Sequence, residues 1–99
     1  MIPAYVIARV DITDRQQYQK YTAVAPSAIL KYGGWVIARS ESPVALEGPE
    51  ERRRIVIIEF PSVKRAQEWY DSPEYRHARG LRKDAAAGEL IAIEGFVPG

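Results

Sequence analysis

Four stretches of the chain, residues 5–10, 35–39, 54–60 and 90–94, are dense in β-branched and aromatic residues and bounded by turn formers. Runs of this length and content read as strands. Between the first two, Tyr18, Tyr21, Thr22, Ala25, Ile29 and Tyr32 recur at spacings of three and four, the stripe of an amphipathic helix. Thr13 or Asp14 supplies its N-cap, with Gln16 at the capping-box position. Pro26 has no amide proton and is expected to kink or divide this helix. Gly33-Gly34 ends it, since glycine takes a left-handed cap freely. The second strand is expected to resume near Val44-Ala45-Leu46, with Pro43 and Gly48-Pro49 marking an irregular hairpin. Pro61 stops the third strand, and Ser62 caps a helix that turns Val63, Ala66, Trp69 and Tyr70 inward. Asp71 interrupts that helix. Ser72-Pro73-Glu74 restarts it as N-cap, first helical residue and dipole-favourable acid, and Gly88 is expected to close it.

The order β-α-β-β-α-β with right-handed crossovers predicts an α+β, ferredoxin-like sandwich over residues 1–99, with an antiparallel sheet of order 4-1-3-2 that pairs into a dimeric α/β barrel. Both helices then cover one face of the sheet, and the other face of a monomer should be polar. It is not: Tyr5 and Ile7 oppose Val6 and Ala8, Ile55 and Ile57 oppose Val56 and Ile58, and Trp35 and Ile37 oppose Val36 and Ala38. An apolar face this wide exceeds what monomers expose, and a second copy packed sheet to sheet removes it. A homodimer is the expected state.

The 46% apolar and 27% charged composition is that of a globular protein. A net charge of +1 argues against nucleic acid as a partner. Arg52-Arg53-Arg54 follows Glu47, Glu50 and Glu51 and reads as a solvated hairpin tip. The absence of cysteine excludes disulfides, thiolate metal sites and cysteine nucleophiles. Met1-Ile2-Pro3-Ala4-Tyr5 lacks the basic and apolar regions of a signal peptide, and no apolar run is long enough for a membrane span. The expected compartment is the cytoplasm, with no membrane partner.

Several segments together resemble the DUF1330 family of the dimeric α/β-barrel superfamily. They are Ala4-Tyr5-Val6-Ile7-Ala8, Tyr32-Gly33-Gly34, Leu46-Glu47-Gly48, Ile58-Glu59-Phe60-Pro61-Ser62 and Trp69-Tyr70-Asp71-Ser72-Pro73-Glu74-Tyr75, and the last two are the specific ones. The chain departs at Arg39-Ser40-Glu41, where the family tends to have Arg-Gly-Gly. The resemblance implies a ferredoxin-like protomer and a dimer with facing sheets, but no activity. The wider superfamily includes cofactor-independent monooxygenases, isomerases, haem-binding enzymes and plain binding proteins.

Each strand carries one charge amid apolar residues: Arg9, Arg39, Glu59 and Glu94. Such charges need partners. With the first and third strands taken as parallel neighbours, Arg9 and Glu59 are expected together, as a structural salt bridge or as a clamp for an anionic ligand. His77 is the lone histidine, one turn after Glu74. It reads as a surface residue, with a general-base role as the alternative. Neither metal nor cofactor is implied. Tyr32, Trp35, Trp69, Tyr70 and Tyr75 are the candidates to line a small-molecule pocket, though aromatic residues on inward stripes serve first as core. The leading expectation is a dimer binding a small organic molecule. One alternative is cofactor-independent oxidation or isomerisation, with Arg9 or Arg39 stabilising charge and Glu59 or His77 moving a proton. The other is a non-catalytic assembly module.

Overall fold

The structure, a computed structural model, describes residues 2–98; Met1, counted in the N-terminal segment read above, and Gly99 lie outside them. The elements run β1 (Ala4–Ile12), α1 (Arg15–Lys31), β2 (Trp35–Ser40), β3 (Arg54–Phe60), α2 (Val63–Asp71), α3 (Pro73–Arg82) and β4 (Ala86–Glu94). The sheet order is β2-β3-β1-β4, the expected order read from the other edge, and all neighbours are antiparallel.

The antiparallel sheet is the expected one, but it corrects one expectation, the parallel pairing of the first and third strands on which Arg9 and Glu59 are matched. The β1–α1–β2 crossover makes β2 parallel to β1, and the turn into β3 reverses direction, so adjacent β1 and β3 run antiparallel. Tyr5 therefore faces Glu59, while Arg9 faces Ile55. Arg9 and Glu59 share a face but lie four positions apart, roughly 13 Å along the strand. The expected pair does not form. Arg9 approaches Glu51 instead, at 3.6 Å.

A bulge corrects a second. Val36 pairs with Ile58 and Ala38 with Ile57, so Ile37 is the extra residue of β2. One extra residue inverts the alternation beyond it. Arg39 thus faces Val56 on the helix side, rather than joining Trp35 on the open side. The strand does not resume after Ser40, and Val44 and Leu46 are exposed.

Asp14 caps α1, accepting the Gln17 amide at 3.0 Å. Pro26 sits inside the helix without dividing it. Pro26 and Thr22, whose carbonyl loses its donor, are both exposed, and water can satisfy that carbonyl. The helix ends as expected: Gly33, at φ 81°, lets the Gly33 and Gly34 amides bond back to Leu30 and Ile29. Ser62 caps α2 through the Arg65 amide. Buried Ser72 closes α2 and opens α3, donating to the Trp69 carbonyl at 2.6 Å and accepting from the Tyr75 amide at 3.1 Å. Gly88 does not end α3, which stops at Arg82. The nine-residue β1 takes up the backbone of β4 as far as the Ile12–Ala86 pair, which puts Gly88 inside the strand.

The core lies between the helices and one sheet face, centred on Phe60, Trp69 and Tyr75. Trp69 stacks on Phe60 at 5.1 Å and on Tyr75 at 4.1 Å between ring centroids. Gly34 backs onto this cluster, and a Cβ there would lie 2.5 Å from the Phe60 ring. Gly34→Ala is therefore expected to lose about 1–3 kcal/mol through overpacking. Urea denaturation reads this directly, and an unchanged midpoint refutes the close approach.

The Cα trace is 16 Å across its shortest axis, which accommodates one helix layer on one sheet. The far face is left uncovered. Tyr5, Ile7, Ile55 and Ile57 lie on it half-buried, flanked by Trp35, Ile91 and Ile93, which are 57%, 49% and 43% exposed. Among the described residues, no helix is long and apolar enough to cross a membrane.

Candidate functional site

Between α1, α3 and the covered sheet face lies a cavity of about 100 Å³. Alternation supplies its floor: Ala8 and Val10 from β1, Val56 and Ile58 from β3, and Leu90 from β4. Helical spacing supplies its roof, with Tyr18, Tyr21 and Ala25 on the inner face of α1 and Tyr75 and Arg82 seven residues apart on α3. Arg54 enters because it shares the strand face of Val56, and Arg39 because the bulge turns it inward.

The polar groups converge. The Tyr21 and Tyr75 hydroxyls are 2.8 Å apart, and either can donate. The Arg82 guanidinium lies 5.4 Å from the Tyr21 ring centre, and that of Arg54 lies 5.8 Å from Tyr18. Arg54 Nη1 donates to Glu41 Oε1 at 2.6 Å, while its buried Nε has no partner. Burial pushes the Tyr21 phenol far up, the Tyr75 contact adds to this, and Arg82 pulls weakly the other way. Burial also raises Tyr18, against the pull of Arg54 and Arg82. Both stay neutral hydroxyls at physiological pH. The lining holds three guanidiniums and no carboxylate or imidazole.

Of the residues singled out from the sequence, Tyr75 and Arg39 come together here. Trp69 and Tyr70 line a different cavity, about 300 Å³, between α2 and the β4 edge. Tyr32 sits at the end of α1, donating to Glu74 at 3.1 Å beneath Arg65, and Lys31 pairs with the same carboxylate. Trp35, Glu59 and Arg9 lie on the open face, as the register shows. Glu94 faces Ala4, placing it on the opposite side of the sheet from Glu59. His77 is exposed on α3.

The charges around Arg9 are those of Glu51, Arg53 and Glu89. Arg53 bonds Glu51 at 3.0 Å and Glu89 at 2.5 Å, and Glu89 faces Arg9 across the strands. Hydrogen bonds from Arg53 hold the Glu51 carboxyl below its usual range. The network edges the open face and joins Glu51 and Arg53, from the stretch that reads as a solvated tip, to Arg9 of β1 and Glu89 of β4.

Tyr18, Tyr21, Arg54 and Arg82 were not singled out as site residues. The signal was present, since two of them belong to the α1 stripe and Arg54 alternates with Val56 and Ile58. What was missing was which inward residues meet.

The family profile described as "Domain of unknown function (DUF1330)" matches residues 3–96. Among curated proteins none matches. Among solved structures, the chain is similar to the RPA0582 protein of unknown function from Rhodopseudomonas palustris. The two share 24% identity and a TM-score of 0.79, over 98% of this chain and 85% of that one. It is similar to SnoaB, a cofactor-independent oxygenase from Streptomyces nogalater, at 7% identity and a TM-score of 0.69, over 99% and 97%. It is also similar to Rv0793 from Mycobacterium tuberculosis, at 15% identity and a TM-score of 0.58, over 97% of each chain. These likenesses carry the ferredoxin-like fold.

Proposed function

The chain belongs to the DUF1330 family, and from that premise we propose that it is a homodimer binding a small acidic organic molecule between α1, α3 and the sheet. The observation that carries the reading is the Tyr21–Tyr75 hydroxyl pair beside Arg82, in an otherwise apolar cavity whose other charges, Arg39 and Arg54, are also positive. Apolar walls with a few convergent polar groups are the usual form of a small-molecule site. Guanidiniums in low-dielectric surroundings favour carboxylates or enolates, which accept bidentate bonds from them. The cavity is below the ~300–1,000 Å³ of sites for drug-sized ligands, which matches it to a single-ring acid or smaller.

Salicylate is the probe. Titration calorimetry should give saturable binding to the wild type, and Arg82→Met should weaken it at least about tenfold, the effect of losing one charge-assisted hydrogen bond. Tyr21→Phe keeps the ring and should weaken it less. Equal affinity in wild type and Arg82→Met refutes the reading.

A second reading, favoured by the fold shared with the oxygenase SnoaB, is cofactor-independent chemistry on an activated substrate. Arg39 and Arg82 would stabilise the developing anion. The lining offers no carboxylate or imidazole to take up a proton, and Glu59 and His77 lie outside it. That favours binding over turnover. The homodimer rests on the uncovered face, which a second copy would cover sheet to sheet.

A further inference from the structure

A third cavity, which shares Arg82 and Leu90 with the interior one, is an open groove of about 480 Å³ between α3 and β4. Its charged lining is Arg76, Arg79, Arg82 and Lys83, with no carboxylate among them. Among the described residues, Arg9, Lys31, Arg52, Arg53, Arg54 and Arg65 are paired to carboxylates, and none of the four groove cations is.

The arrangement works against local stability. Arg76–Arg79, Arg79–Arg82 and Arg79–Lys83 are like-charge pairs at helix spacings of three and four, where such pairs destabilise. Arg79 and Arg82 gain from the helix dipole in the last turn of α3, but that does not account for Arg76 converging with them.

The groove is also prepared for a ligand. The Arg79 guanidinium stacks 4.1 Å above the Tyr70 ring and donates to the Tyr70 hydroxyl at 3.1 Å and carbonyl at 3.3 Å. Its rotamer is thereby held before anything binds, which lowers the ordering cost of association. Gly80 and Gly88 also line the groove, and nothing lies within 4 Å of where a Gly80 side chain would start. The volume falls within the ~300–1,000 Å³ of small-molecule sites.

We propose that this groove is an anion site for a small molecule carrying adjacent phosphates, with Arg76, Arg79 and Lys83 as its ligands and Arg82 shared with the interior cavity. Four convergent cations call for a polyvalent anion, and linked phosphates present several acceptor oxygens within one groove. A free diphosphate and the diphosphate of a nucleotide share this chemistry.

The test is calorimetric titration of the intact protein with pyrophosphate, with ADP in parallel, at fixed ionic strength. Saturable binding with one site per protomer supports the proposal, and tighter binding of ADP identifies the nucleotide as the source. Arg76→Glu with Lys83→Glu, both exposed positions, should cut pyrophosphate affinity at least tenfold while moving salicylate affinity less than threefold. Unsaturable heats, an unchanged affinity in the double variant, or an equal loss for salicylate overturns it. So does a single-stranded oligonucleotide that binds more tightly than ADP and is lost in the same variant, because the groove is then a nucleic-acid surface. Salicylate binding that fails in the wild type refutes the interior reading and leaves the pyrophosphate outcome decisive here.

Discussion

Replacing Ile57 with lysine is expected to convert the proposed homodimer to a monomer at micromolar concentration. Ile57 is central to the open face, opposite Ile7 on β1, which in turn faces Ile91 on β4. In a monomer a lysine here reaches water, and the fold is kept. In a sheet-to-sheet dimer it buries a charge with no partner, because the carboxylates of this face lie toward its ends, at Glu59 and at the Glu51–Glu89 network. Stranding such a charge costs several kcal/mol, and each ~1.4 kcal/mol is tenfold in a dissociation constant. The expected weakening exceeds about a hundredfold. Sedimentation velocity on wild type and variant at equal concentration reads it, with the far-ultraviolet spectrum reporting that the variant is folded. A folded Ile57→Lys that remains dimeric moves the interface elsewhere, and a wild-type monomer removes the dimer altogether.

Trp69→Ala is expected to be the most damaging single change within the protomer. Trp69 is 1% exposed and touches Phe60 on one side and Tyr75 on the other. Truncating a buried tryptophan costs about 3–5 kcal/mol, against total stabilities of roughly 5–15 kcal/mol for domains. The variant should melt near ambient temperature or fail to fold. Trp69→Phe keeps a ring against both neighbours and gives up the indole nitrogen, which has no hydrogen-bond partner, so it should stay folded with a smaller loss. Urea midpoints of the three proteins should fall in the order wild type, Trp69→Phe, Trp69→Ala. An alanine variant as stable as wild type contradicts the assignment of this cluster as the centre of the core.

The charged residues divide instructively. Arg39 was placed with Trp35 by strict alternation, and a single bulge at Ile37 reversed it. Nothing in the six residues of β2 announces the bulge, because apolar residues stand on both sides of Ile37 and either register satisfies the pattern. Arg9 was matched to Glu59 by assuming parallel strands, although the connections alone imply antiparallel ones. Once the direction is right, Glu59 is at the wrong end, and Arg9 meets Glu51 from the loop before β3. Loop carboxylates were read as solvated because a chain pattern carries no record of which loop folds back over which strand.

The interior site shows the same division. Tyr18, Tyr21 and Tyr75 were visible as inward positions of helices, as was the likeness of residues 69–75 to the family. That the hydroxyls of Tyr21 and Tyr75 meet at 2.8 Å across 54 residues of chain was not visible. Element types, their order and the apolar character of both sheet faces follow from local periodicity and turn chemistry, since each depends on residues within a few positions of one another. Strand direction, the bulge, the ion-pair partners and the cavity between α1 and α3 depend on distant segments arriving at one place. Packing settles those, because two registers or two loop paths with the same local pattern differ only in the contacts they complete.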